Sequence, residues 1–139
     1  MKIPTGVNLP YLPEILRMIA KCIRDYPLAT ITVGDFRHFF HQIPLHEDIS
    51  KWFGVGTDDN HMYRWNVLPM GHSHSPHTAQ CLGWLVLLHC EPGEEQLFHE
   101  EDLEAIRKST TPPQYVRLKN GGFATLFYDN FIAVTALMQ

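Results

Sequence analysis

The stretch Phe123-Ala124-Thr125-Leu126-Phe127-Tyr128-Asp129-Asn130-Phe131-Ile132-Ala133-Val134 decides the fold. Two apolar runs flank Asp129-Asn130, and Asp and Asn favour turns because their short side chains bond nearby backbone groups. The pattern predicts an antiparallel hairpin with Asp129-Asn130 as its two-residue turn. Upstream, Tyr115 to Lys119, a turn at Asn120-Gly121-Gly122 and Phe123 to Phe127 predict a second hairpin that shares the middle strand.

Further towards the N-terminus, Ala29-Thr30-Ile31-Thr32-Val33-Gly34 is rich in β-branched residues and reads as a buried strand ending in Asp35. Phe36 to Gln42 reads as a short aromatic turn. Lys51 to Gly56 and His61 to Asn66 flank Thr57-Asp58-Asp59-Asn60, which predicts a third hairpin. Between these runs lie helical patterns. Ile15, Met18, Ile19, Cys22, Ile23 and Tyr26 form a helical stripe, with Pro13 in its first turn and Pro27 as its stop. Leu68 to Pro76 is a loop, with Ser75 as N-cap and Pro76 as the first residue of a helix over 77–89. Its expected core face is Leu82, Leu85, Val86 and His89, extended by Cys81, Trp84 and Leu88. A second, solvated helix is expected over 94–108. Residues 1–13, with Pro4, Pro10 and Pro13, read as an extended lead-in. The expected class is α+β, an antiparallel sheet with helices packed on one face.

Composition sets bounds on function. A chain of 139 residues with 45% hydrophobic and 19% charged side chains fits one domain with one core. No apolar run approaches the ~18 residues of a membrane span, so no membrane partner is expected. Cys22, Cys81 and Cys90 form no CxxC pair, and their odd number favours a reduced, intracellular chain, in nucleus or cytoplasm. The net charge of −4 is local: Glu91 to Lys108 holds seven acids and two bases, the remainder eight acids and nine bases. No basic stripe for non-specific nucleic-acid binding is present.

Two acids stand apart from the solvated run. Asp35 ends an apolar strand and Asp129 sits at a hairpin tip, positions that can bring two carboxylates to one sheet edge. Paired carboxylates can hold Mg²⁺ together with substrate phosphates, and two such ions can clamp an in-line phosphoryl transfer. The bland alternative is that both are ordinary turn residues.

The run Asp35-Phe36-Arg37-His38-Phe39-Phe40-His41-Gln42-Ile43-Pro44-Leu45 resembles the first catalytic motif of retroelement reverse transcriptases. Leu68-Pro69-Met70-Gly71, followed by Ser75-Pro76 and Gln80, resembles the second, and Phe127-Tyr128-Asp129-Asn130 the third. The motifs occur in the family's order and span most of the chain. The resemblance implies a single palm-like domain over residues 1–139, of ferredoxin-like and RRM-related type, with fingers mostly absent and thumb and RNase H absent. It implies RNA-directed DNA polymerase chemistry, with a primer 3′-hydroxyl attacking a nucleotide α-phosphate. Asp35, Asp129 and Asn130 would take the catalytic positions. Asp35, Asp129 and the Phe36 carbonyl would hold Mg²⁺ or Mn²⁺. Phe36, His38, Phe39, Phe40, Met70 and Gly71 would bind the nucleotide, with Phe40 under the sugar. The implied partners are an RNA or DNA template-primer and a deoxynucleoside triphosphate, with self-association or a second subunit completing the site.

One departure bears on activity. Asn130 stands where the family has a second Asp, so one negative charge is missing from a two-cation site. The expectation is therefore a palm that is impaired or inactive in isolation, and the alternative is a catalytically silent, retroelement-derived binding or structural module. Of the remaining features, His72, His74 and His77 read as loop histidines, Cys22 and Cys81 as core residues, and Trp52, Trp65 and Trp84 as packing residues.

Overall fold

Alternation along Phe123–Thr135 builds the centre of the sheet. In the computed structural model, which describes residues 9–136, the elements in chain order are α1 (Leu12–Asp25), β1 (Thr30–Asp35), a 3-10 turn (Phe40–Gln42), α2 (Glu47–Ser50), β2 (Gly54–Gly56), β3 (Met62–Arg64), α3 (Ser75–Leu88), α4 (Glu100–Lys108), β4 (Val116–Arg117), β5 (Phe123–Phe127) and β6 (Asn130–Thr135). Strands β1, β6, β5 and β4, in that spatial order, form one antiparallel sheet, and β2 and β3 form a separate hairpin. The α+β class is as the sequence predicts.

Successive residues of a strand point to opposite faces. Ala124 and Leu126 pair with Ala133 and Phe131, and on this face Trp84 of α3 and Leu103 of α4 join Val116, Leu118 and Phe98 in the larger core. Phe123 pairs with Val134 on the other face, where Ile15 of α1 meets both. Helices thus cover both faces, not one as the sequence suggests, because β5 and β6 are apolar on both sides; α1 covers only the end near Phe123. Burying side chains such as Leu126 and Val116 stabilises by roughly 1.5–3 kcal/mol each, more than the ~0–1 kcal/mol of a surface ion pair, so the two cores set the fold. Burial pushes the Cys22 and Cys81 thiols up, Cys22 further beside Asp25, in keeping with packing roles.

Several sequence expectations are corrected in detail. Strand β1 is not buried: it is the sheet edge, and Ile31 and Val33 are 46% and 67% exposed because α1 does not reach them. Ser75 lies inside α3 after the cap position His74 and donates its hydroxyl to the Pro69 carbonyl (2.6 Å). The buried face of α3 is Ala79, Gln80, Gly83 and Trp84, while Leu85 and Val86 face solvent. This helix is apolar nearly all round, so periodicity does not select a face; the small residues do. A Cβ on Gly83 would lie 2.6 Å from Leu126 Cδ2, so glycine there lets helix and strand approach. Helix α4 begins at Glu100 rather than residue 94, because the chain before it is drawn out along the sheet, Phe98 bridging Leu118. The third hairpin is shorter than expected, and residues 51–53 turn before β2. Of the three tryptophans only Trp84 is buried; Trp52 is 78% exposed and Trp65 also lies at the surface. Part of the expected lead-in, residues 1–8, lies outside the described residues.

Two anchors of this architecture generate predictions. Gly122 precedes β5 at the point where a Cβ would overlap the Val134 carbonyl oxygen, a backbone atom that cannot step aside. Gly122→Ala should therefore lower the urea midpoint by an amount equivalent to about 1–3 kcal/mol, and an unchanged midpoint would contradict that close approach. Asp102 ties α4 to β4: its carboxylate accepts from the Arg117 amide (3.2 Å), Nε (3.1 Å) and Nη2 (2.8 Å). These bonds hold the Asp102 carboxyl below the usual carboxylate range. A depressed folded value contributes stability that is present above the unfolded carboxyl value of about 3.9 and is lost as pH falls through the folded one. Thermal unfolding of Asp102→Asn should thus start below wild type at pH 7, and the difference should shrink below about pH 4.

Candidate active site

Asp35 and Asp129 come from opposite ends of the sequence and meet at one end of the sheet. Asp35, the last residue of β1, has Asn130 as its Cα partner. The next amide, Phe36 N–H, donates to the Asp129 carbonyl (2.7 Å). Neighbouring strands run about 5 Å apart, so the two aspartates stand on adjacent backbones. Asp35 is exposed and Asp129 half-buried. The Asn130 amide donates to the Asp129 carboxylate (Nδ2 to Oδ1, 3.0 Å).

The turn that carries Asp129 is shifted by one residue from the sequence reading. Phe127 pairs with Asn130, leaving Tyr128-Asp129 as the loop. Tyr128 has φ +54°, a positive φ at the first central position of a two-residue hairpin, where glycine is usual. For a non-glycine residue this left-handed backbone costs roughly 1–2 kcal/mol. Gln80 offsets it. Its side chain is completely buried; its Nε2 donates to the Leu126 carbonyl (2.7 Å) and its Oε1 accepts from the Tyr128 amide (2.7 Å). One amide from α3 therefore grips the chain on both sides of Phe127.

The residues expected to bind nucleotide divide into two groups. Phe36, Phe39 and Phe40 gather by the aspartates: the Phe36 ring lies 5.1 Å from Phe39 and 5.8 Å from Phe131, and the Phe40 ring 6.5 Å from Tyr128, centroid to centroid. Phe39 is buried and holds this turn to the core. His38 occupies the turn with φ +49°. Met70 and Gly71 belong to the loop entering α3; Met70 is 70% exposed, and Gly71 has φ +90° with open space where a Cβ would stand. This loop is tied to the aspartate end through Ser75, α3 and Gln80. Among the described residues no three His, Cys, Asp or Glu side chains converge to hold a metal ion. The His72 and His74 rings lie 5.3 Å apart, while His77 approaches the Cys81 thiol at 3.7 Å.

The roles of Gln80 and Tyr128 in shaping the site are absent from the sequence reading. A signal for Gln80 exists: it is an uncharged polar residue between Ala79 and Cys81 in a largely apolar helix, and buried polar side chains of this kind pair with buried backbone groups.

Comparison with known proteins adds one link. Over 49 residues, 35% of its length, the chain is 42% identical to part of the Gag-Pol polyprotein of Walleye dermal sarcoma virus. The matched stretch is 3% of that polyprotein. The match supports a retroelement origin. No family model and no solved structure matches the chain. Among the described residues no helix is long and apolar enough to cross a membrane.

Gln80 provides the test of this geometry. Gln80→Leu keeps the volume but strips partners from the Leu126 carbonyl and the Tyr128 amide, and each unpaired buried group costs about 1–3 kcal/mol. Chemical denaturation should show a loss of that order, with the slope unchanged; a neutral substitution would refute the clamp.

Proposed function

We propose that the chain is a reverse-transcriptase-like palm of retroelement origin, shaped for nucleotidyl transfer to a primer 3′-hydroxyl and impaired as it stands. The observation that carries this reading is the strand pairing that sets Asp35 beside Asn130 and joins Phe36 to Asp129. Two carboxylates and a backbone carbonyl offered from one sheet end would make an all-oxygen donor set, the chemistry that Mg²⁺ and Mn²⁺ select. Bound there, such ions would neutralise charge on the phosphates and polarise them. The chain's own part is positioning, which dominates phosphoryl transfer. On this reading Asp35, Asp129 and the Phe36 carbonyl would supply ligands, Phe40 would lie under the sugar, the His38 and Phe39 amides would face the triphosphate, and Met70 and Gly71 would line the pocket.

A second reading, a catalytically silent module, is favoured by the Asn130 side chain. Its amide occupies an oxygen of the Asp129 carboxylate (3.0 Å), and it leaves two carboxylates where the resembled family has three. The two readings separate on Mn²⁺ binding followed by calorimetry, with primer extension alongside. The polymerase reading expects Asp35→Asn and Asp129→Asn to abolish Mn²⁺ binding, and Asn130→Asp to tighten it about tenfold or more and to raise extension. Mn²⁺ binding indifferent to Asp35→Asn, or an Asn130→Asp variant that neither binds Mn²⁺ nor extends a primer, would leave the silent module as the answer.

A further inference from the structure

The two edges of the sheet are treated differently. At the β4 edge, the segment before α4 lies alongside: Lys119 N–H donates to the Leu97 carbonyl (2.9 Å), His99 N–H to the Arg117 carbonyl (3.4 Å), and Phe98 bridges Leu118. The β1 edge has no such cover among the described residues. Its outward groups follow from the ladder. Phe36 N–H points at Asp129, and bonding direction alternates along an antiparallel strand. Gly34, Thr32 and Thr30 therefore bond to β6, whereas Ile31, Val33 and Asp35 turn their N–H and C=O groups away from it. Between Thr30 and Gly34 the strand has no charge, no proline and no bulge, the devices that usually guard an open edge. The side chains of Ile31 and Val33 point to one face and are 46% and 67% exposed.

We propose that the β1 edge is a self-association surface, whose occupant is β1 of a second copy paired antiparallel about a two-fold axis through Thr32. This inference does not depend on the polymerase reading. Outward-bonding residues must pair with outward-bonding residues, so Ile31 of each copy faces Val33 of the other, and the backbone groups of both are satisfied. Four exposed apolar side chains then lie together on one face. Charge decides the direction: antiparallel pairing carries the two Asp35 carboxylates to opposite ends, whereas parallel pairing would set them side by side. An isologous contact of this kind closes on itself, as a dimer needs.

Sedimentation equilibrium of the full chain over a wide concentration range is the test. The expected result is a reversible monomer–dimer equilibrium. Val33→Lys replaces two apolar cross-strand contacts per dimer by buried-edge charges and should weaken it by about tenfold or more, while Leu85→Lys, on the exposed side of α3, should leave it unchanged. Circular dichroism confirms that each variant is folded. A second measurement needs no variant: amide exchange at Ile31, Val33 and Asp35 should slow as wild-type concentration rises. A chain that stays monomeric throughout, or a dimer untouched by Val33→Lys with concentration-independent exchange at those three amides, overturns the proposal; in the latter case another surface of the chain is responsible.

Discussion

The Gln80 side chain spends both halves of its amide on one hairpin turn, and the arrangement of the aspartate end follows from that. Its donor and acceptor meet the Leu126 carbonyl and the Tyr128 amide at 2.7 Å each, in a site without solvent to substitute for either. The bonds fix where α3 lies on β5, and Gly83 lets the helix come close enough to make them. They also stabilise the left-handed Tyr128, which places Asp129 in the loop and Asn130 at the start of β6. Backbone strain offset by a buried polar contact is typical of positions where geometry serves a site.

Energy is distributed unevenly over the molecule. The α3–α4 face and the α1 contact bury the large apolar side chains. The β2–β3 hairpin has both faces exposed, and two-stranded hairpins are marginal alone. Hydrogen bonds at its base hold it in place: Ser50 Oγ donates to the Trp65 carbonyl (2.5 Å), and Trp65 N–H to the Phe53 carbonyl (2.9 Å). The acidic stretch before α4 is partly recruited as an edge strand, since its Leu97 and His99 backbones find partners in β4 and beyond it. The candidate site therefore sits where a rigid core meets a lightly anchored hairpin, and the loop of Met70 and Gly71 links the two.

Much of this was legible in the residues. The hairpin around Asp129, the helix ending before Pro27, the strand ending at Asp35 and a short turn within Phe36 to Gln42 all follow from local signals. So does the candidate pair Asp35 and Asp129, which the pairing of β1 with β6 brings to one end of the sheet. Less legible were the features that depend on several elements at once. Asp129-Asn130 looks like the turn because both residue types favour turns, yet cross-strand pairing of Leu126 with Phe131 moves the loop back by one residue.

The amino-acid order alone determined most of the elements, their succession and the identity of the two acids, because periodicity, proline stops and turn chemistry act over a few residues; the short α2 carried no such signal. Tertiary structure alone decided which side of α3 is buried, that β1 stands at an edge rather than in the centre, and that Asn130 leans on Asp129. Each of these depends on which distant surfaces meet, and small residues such as Gly83 and a single buried amide settle that through close approach and hydrogen-bond satisfaction, neither of which leaves a periodic mark in the chain.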